Sequence, residues 1–189
     1  MMMAKTKAKA WSAQRDNLRT ALALESVTGK PYERIFNKPR AMEHGEVTEA
    51  LCLDTYEIVT GNLVERTGFL TMPSYMAGCS LDGHVNDFEG VVEAKCPESK
   101  THLEYLRTGK IPEQYYFQCL HNMWVTGAQW VDFCSFDPDF PQDIQFLCVR
   151  LNRNEPDMTS YELALNLFLA EVKVEVEEIQ KMRATRKAA

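Results

Sequence analysis

The chain has 189 residues, 45% of them hydrophobic and 25% charged, with a net charge of −6. Those fractions suit one folded domain with a sizeable core and exclude a low-complexity chain. No apolar run is long enough to span a bilayer, and residues 1–10 lack the apolar stretch of a signal peptide. Cys52, Cys79, Cys96, Cys119, Cys134 and Cys148 form no Cys-x-x-Cys pair, which argues against a zinc ribbon or a redox motif and suits reduced thiols in a cytoplasmic setting. The four histidines are isolated, so a histidine-rich metal site is not expected.

Residues 1–14 read as a basic, disordered tail. Leu18, Leu22 and the run from Leu24 to Val27 predict a helix over Ser12–Thr28, stopped by Gly29-Lys30-Pro31. A second helix is expected over Ala41–Thr60, with Val47, Leu51 and Tyr56 toward a core. Thr67–Met72 reads as a short strand leading into a central hairpin. His102–Leu106 suggests a short helix closed by Gly109, and Pro112 opens a stronger one through Trp124, with Phe117 and Trp124 as core residues. Gln129–Phe136 and Asp143–Leu151 are strand-like. Met158–Met182 has the apolar spacing of a long amphipathic helix. There is no internal repeat.

Two stretches carry most of the chemistry. Cys79-Ser80-Leu81-Asp82-Gly83 and Val91-Val92-Glu93-Ala94-Lys95-Cys96-Pro97 look like the arms of one β-hairpin around a turn at Asn86-Asp87-Phe88-Glu89-Gly90. A turn centred near Asp87 and Phe88 sets Asp82 opposite Glu93. Glu93 and Lys95, two apart on a strand, leave the same face. Two carboxylates this close repel unless a cation lies between them, and hard oxygen donors suit Mg²⁺ or Mn²⁺. An Asp and a Glu-x-Lys on a hairpin are commonly surface charges; here the surrounding Val91, Val92 and Ala94 make unpaired charges costly.

This arrangement resembles the PD-(D/E)xK nuclease motif. The wider sequence resembles the phage lambda exonuclease and YqaJ-like viral recombinase family of that superfamily. The resemblance rests on Gly45-Glu46-Val47-Thr48-Glu49, then Cys79-Ser80-Leu81-Asp82-Gly83, then Glu93-Ala94-Lys95-Cys96-Pro97. Tyr115, Gln118 and Met123-Trp124-Val125-Thr126 follow in order. It implies an α/β fold with a PD-(D/E)xK nuclease-like core, a central mixed sheet flanked by helices. Residues 15–189 are then expected to form a single exonuclease-like domain.

The resemblance also implies roles. Asp82 and Glu93 would hold Mg²⁺, for which Mn²⁺ would substitute, with the Ala94 carbonyl adding a ligand. Lys95 would orient the attacking water and neutralise the transition state, its ordinary alternative being a salt bridge to Glu93. Glu49 would support a second ion. Tyr115 and Gln118, three apart on one helix face, would reach the site. DNA contacts are expected from Lys95, Lys100 and Arg107, and basic residues at the ends of the chain (Lys5, Lys7, Lys9, Arg15 and Arg19; Lys181, Arg183, Arg186 and Lys187) are further candidates.

The expected activity is Mg²⁺-dependent hydrolysis of linear double-stranded DNA from its ends, 5′ to 3′, in phage-type recombination in a bacterial cytoplasm. Expected partners are DNA ends, a single-strand annealing protein and further copies of the chain, a trimer by resemblance, with no membrane. Two alternatives stay open: a catalytically weak DNA-binding accessory protein of the same fold, and an interaction protein with a solvated acidic hairpin. Relatives carry an early segment whose Arg and Ser bind the 5′-phosphate. No equivalent pair precedes the helix here, which leaves 5′-phosphate dependence and processivity open.

Overall fold

In the computed structural model, residues 12–30 and 40–188 are described, with side chains for 12–30 and 48–187. Residues 1–11 and the side chains of Gly45, Glu46 and Val47 lie outside that range, as do Lys5, Lys7 and Lys9. The first helix, α1, spans Ala13–Thr28, and the Ser12 side chain accepts a hydrogen bond from the Arg15 amide at its start. Ser12 and Ala13, counted above in the tail, are thus the cap and first residue of this helix. By its internal contacts the chain divides into two units: residues 1–37 with 159–189, and residues 38–158.

In the first unit α1 packs against α5, Met158–Ala188, through Ala23, Phe168 and Val172 with Leu18, Leu22 and Ile179 around them. α5 runs past the expected Met182 end and carries Lys181, Arg183, Arg186 and Lys187 on exposed helical turns. Arg15 is only 2% exposed. Its guanidinium makes two hydrogen bonds to Glu171, at 2.7 and 3.1 Å, and lies over the Phe168 ring. Arg19 bonds Glu175 at 2.7 Å. These two arginines, candidates above for DNA contact, pair with acidic residues of α5.

The second unit is built on a four-stranded sheet in the order β3-β4-β5-β6. Its strands are β3 (Gly83–Val85), β4 (Gly90–Lys95), β5 (Trp130–Phe136) and β6 (Phe146–Asn152). β4 and β5 are parallel and the other two pairings antiparallel, so the sheet is mixed, as expected. Helix α2, Arg40–Thr60, covers one face. Its Cys52, Leu53 and Tyr56 pack on Val85, Val92, Ala94, Cys134 and Phe136. Leu51 is exposed, contrary to expectation. α3 (Ser99–Thr108) and α4 (Glu113–Thr126) cover the opposite face, where Tyr105 and Tyr115 meet Phe133. Trp124 is buried, but Phe117 is exposed. The strand near Met72 does not enter the central sheet. β1 (Leu70–Met72) pairs with β2 (Ala77–Cys79) in a separate ribbon, joined by a short 3-10 turn.

The hairpin itself is tightly specified. Asn86, Asp87 and Phe88 all have positive φ, at 50°, 51° and 67°, which turns the chain between β3 and β4. Gly90 follows because a Cβ there would clash with the Trp130 ring on the neighbouring strand. Behind that contact, Asp132 is buried and accepts two hydrogen bonds from Arg150, at 2.8 and 2.7 Å, and one from the Tyr56 hydroxyl at 2.8 Å. Sheet and α2 are thus tied by a satisfied polar network.

Candidate active site

Gly83 pairs with Val92, which sets Asp82 level with Glu93 as the spacing predicted. Strand alternation turns Val92 and Ala94 to α2, and Glu93 and Lys95 to α4. Asp82, just ahead of β3, accepts a hydrogen bond from the Ala94 amide at 2.8 Å, so one carboxylate is locked onto the backbone of the strand that carries the other.

Glu93 is 0% exposed. Its Oε1 contacts the Lys95 ammonium and its Oε2 accepts from the Asn122 amide of α4 at 2.8 Å. Lys95 Nζ also donates to the Ala94 carbonyl at 3.0 Å and lies 3.7 Å from Asp82 Oδ2. It stands 5.3 Å from the centre of the Tyr115 ring. Burial, with a further push from Asp82, raises the Glu93 pKa to about 7 against the pull of Lys95. For Lys95, burial opposes the charge, but Glu93 and Asp82 outweigh it and the pKa rises.

Three oxygens, from Asp82, Glu93 and the Ala94 carbonyl, therefore converge on one cationic nitrogen. The ammonium stands where a small cation would stand, and the donors are all hard oxygens of the kind that Mg²⁺ and Mn²⁺ prefer. Among the described residues no three His, Cys, Asp or Glu side chains are arranged to hold a metal ion. A site here would rest on two carboxylates, a backbone carbonyl and water, a donor set that suits a hydrated Mg²⁺.

The remaining expected residues lie on three helices, α2, α3 and α4. Tyr115 is half-buried beneath Lys95, and Gln118 is exposed one turn further along α4. Glu49 is half-buried on α2, near the end of β4. The Cys96 thiol next to Lys95 is held below its usual range by a hydrogen bond from Cys52, and Glu49 acts on it in the opposite sense. Lys100 and Arg107 are exposed on α3, seven residues apart and so on one side of that helix. Asn122 appears in none of the motifs, yet it touches Glu93. Its signal was the spacing of Tyr115, Gln118 and Asn122, three and then four residues apart, which is one helical stripe.

Comparison with known proteins bears on the whole chain. Among curated proteins none matches. The alkaline exonuclease LHK-Exo from Laribacter hongkongensis is 34% identical, with a TM-score of 0.80 over 95% of this chain and 88% of its own. The same enzyme in complex with dAMP gives 0.82 over 92% and 87%. A phage-related exonuclease from Haemophilus somnus, 12% identical, shares the fold at a TM-score of 0.66 over 96% and 92%. The model of the YqaJ-like viral recombinase domain matches residues 4–129, a span that takes in the hairpin and α4. The chain belongs to the YqaJ-like viral recombinase domain family.

Proposed function

We propose that this protein is a divalent-metal-dependent exonuclease that hydrolyses the phosphodiester bonds of linear double-stranded DNA. The observation that carries the reading is the convergence of Asp82, the Ala94 carbonyl and a fully buried Glu93 on a single cation position. Similarity to an alkaline exonuclease crystallised with dAMP supports it.

Asp82, Glu93 and the Ala94 carbonyl would hold Mg²⁺, or Mn²⁺ in its place. When bound, such an ion lowers the pKa of its water and offsets charge on the scissile phosphate. Glu93 presents Oε1 to this point, while its Oε2 accepts from Asn122. In the absence of an ion the Lys95 ammonium takes this point itself, contacting Glu93, the Ala94 carbonyl and Asp82; displaced to its side by an ion, it would neutralise charge that builds on phosphate oxygens in the transition state. Tyr115 lines its flank, and Glu49 and Gln118 border the site. Lys100 and Arg107 supply positive charge toward the DNA backbone. Polarity of 5′ to 3′, assembly into a trimer, cooperation with a single-strand annealing protein and action in a bacterial cytoplasm complete the proposal. Among the described residues no helix is long and apolar enough to cross a membrane.

Digestion of linear duplexes bearing 5′-phosphate, 5′-hydroxyl or closed ends, with Mg²⁺ or with a chelator, tests this reading. Open linear DNA should be degraded only with the metal, closed ends should resist, and Glu93→Gln should be inert. Arg15 and Arg19 are engaged with α5, so weak discrimination between the two open ends is expected. Digestion that persists in the chelator, or in Glu93→Gln, would overturn it.

A further inference from the structure

Asn122 sits in the inner wall of α4, between Leu120 and Trp124, both buried. Asparagine is a poor helix former, and an apolar residue would fill a buried wall at lower cost. Its amide has a partner, however: Nδ2 donates to Glu93 Oε2 at 2.8 Å, and Asn122 is itself only 2% exposed. The helix that carries it is fixed in turn. Thr126 donates to the Asn122 carbonyl at 2.7 Å, and Arg153 donates to the carbonyls of Met123 and Ala128 at 2.7 and 3.1 Å. The amide therefore reaches Glu93 from a clamped helix end.

A buried carboxylate bonded at one oxygen keeps a fixed plane. With Oε2 held by Asn122, Oε1 is the oxygen directed to the point shared with Asp82 and the Ala94 carbonyl. We propose that Asn122 is the positioning residue for Glu93, fixing the carboxylate so that a single oxygen is offered to a divalent cation, and so setting both metal affinity and turnover. This rests on the metal-dependent reading above. Partners that orient a ligand in this way typically govern metal affinity or activity by about 10- to 100-fold.

The test is Mn²⁺ calorimetry on the full chain without DNA, paired with duplex digestion, for wild type, Asn122→Leu, Asn122→Ser and Glu93→Gln. All measurements are made well below each variant's melting temperature. Asn122→Leu keeps the branched shape of the side chain, though not its volume, and removes the donor. Its Mn²⁺ affinity and kcat should each fall about 10- to 100-fold, with KM for DNA unchanged. A residue that served packing alone would lower the melting temperature and leave both readouts in place. If the leucine variant does not fold, Asn122→Ser decides, with the same loss expected. Wild-type affinity in either folded variant overturns the proposal, as does failure of both to fold. If wild type binds Mn²⁺, Glu93→Gln does not and the Asn122 variants match wild type, only the positioning role fails. If wild type binds no Mn²⁺, the metal-dependent reading fails with it.

Discussion

The Lys95 ammonium lies 3.0 Å from the carbonyl oxygen of Ala94, its own chain neighbour, and so occupies the point on which Glu93 and Asp82 also converge. One point cannot hold an ammonium and a divalent ion together, since the two repel at such range. Lys95→Met keeps most of the side chain's length and removes the charge. In DNA-free protein it should bind Mn²⁺ at least about tenfold more tightly, a difference of about 1.4 kcal/mol, while cleavage falls by roughly 100-fold or more. Calorimetry that finds weaker Mn²⁺ binding would show that Lys95 assists the ion.

The raised pKa of Glu93 sets a pH dependence. Its folded value, about 7, lies above the ordinary 4.5, so the native state holds a proton that the unfolded chain releases earlier. Stability from this group is complete at low pH and is lost as pH rises toward and through 7, by at most on the order of 3 kcal/mol. A divalent ion needs the ionised form, so its stabilising effect should grow over the same window. Melting temperatures with and without Mg²⁺ at pH 6 and pH 8.5 check this. An equal Mg²⁺ effect at both would exclude Glu93 as the ligand.

Asp132 should matter for the fold and little for chemistry. Asp132→Ala leaves the Tyr56 O–H without its acceptor, although Asn62 still donates to that oxygen at 3.2 Å, and removes both bonds to Arg150. Arg150 is partly exposed and recovers some solvation, so a loss of about 3 kcal/mol is expected. Urea unfolding measures it, and kcat well below the midpoint should stay near wild type.

Arg15 makes the opposite case to a DNA contact. Arg15→Leu should lower stability by about 1–3 kcal/mol through its lost hydrogen bonds to Glu171, yet leave affinity for duplex DNA and its salt dependence unchanged. A shallower salt slope would return Arg15 to the DNA interface.

The hairpin was legible because it is local. Eleven positions separate Asp82 from Glu93, the turn residues lie midway, and strand alternation sets the faces. The amphipathic face of α2 was not. Leu51, Cys52, Leu53, Tyr56, Ile58 and Val59 place apolar groups around much of the helix, so its buried side cannot be phased from sequence, and the inward face proved to be Cys52, Leu53 and Tyr56. Phe117 was misread for a similar reason, as one aromatic in a run of three. The pairing of Arg15 was not legible because its partner lies 156 residues away, nor that of Asn122, whose carboxylate lies 29 residues earlier.

The parallel pairing of β4 with β5 has a consequence for how the site comes into being. Parallel neighbours need a long crossover, and here the crossover is α3 and α4, which carry Tyr115, Gln118 and Asn122. A nascent chain that has emerged only to Thr126 already contains every residue of the proposed centre. It still lacks the strand that completes the ladder of β4 and gives Tyr115 its stacking partner, Phe133. Closing that loop precedes its reward in contacts. A ribosome-bound fragment ending at Thr126 is therefore expected to carry the residues of the site without the strand that holds them in place.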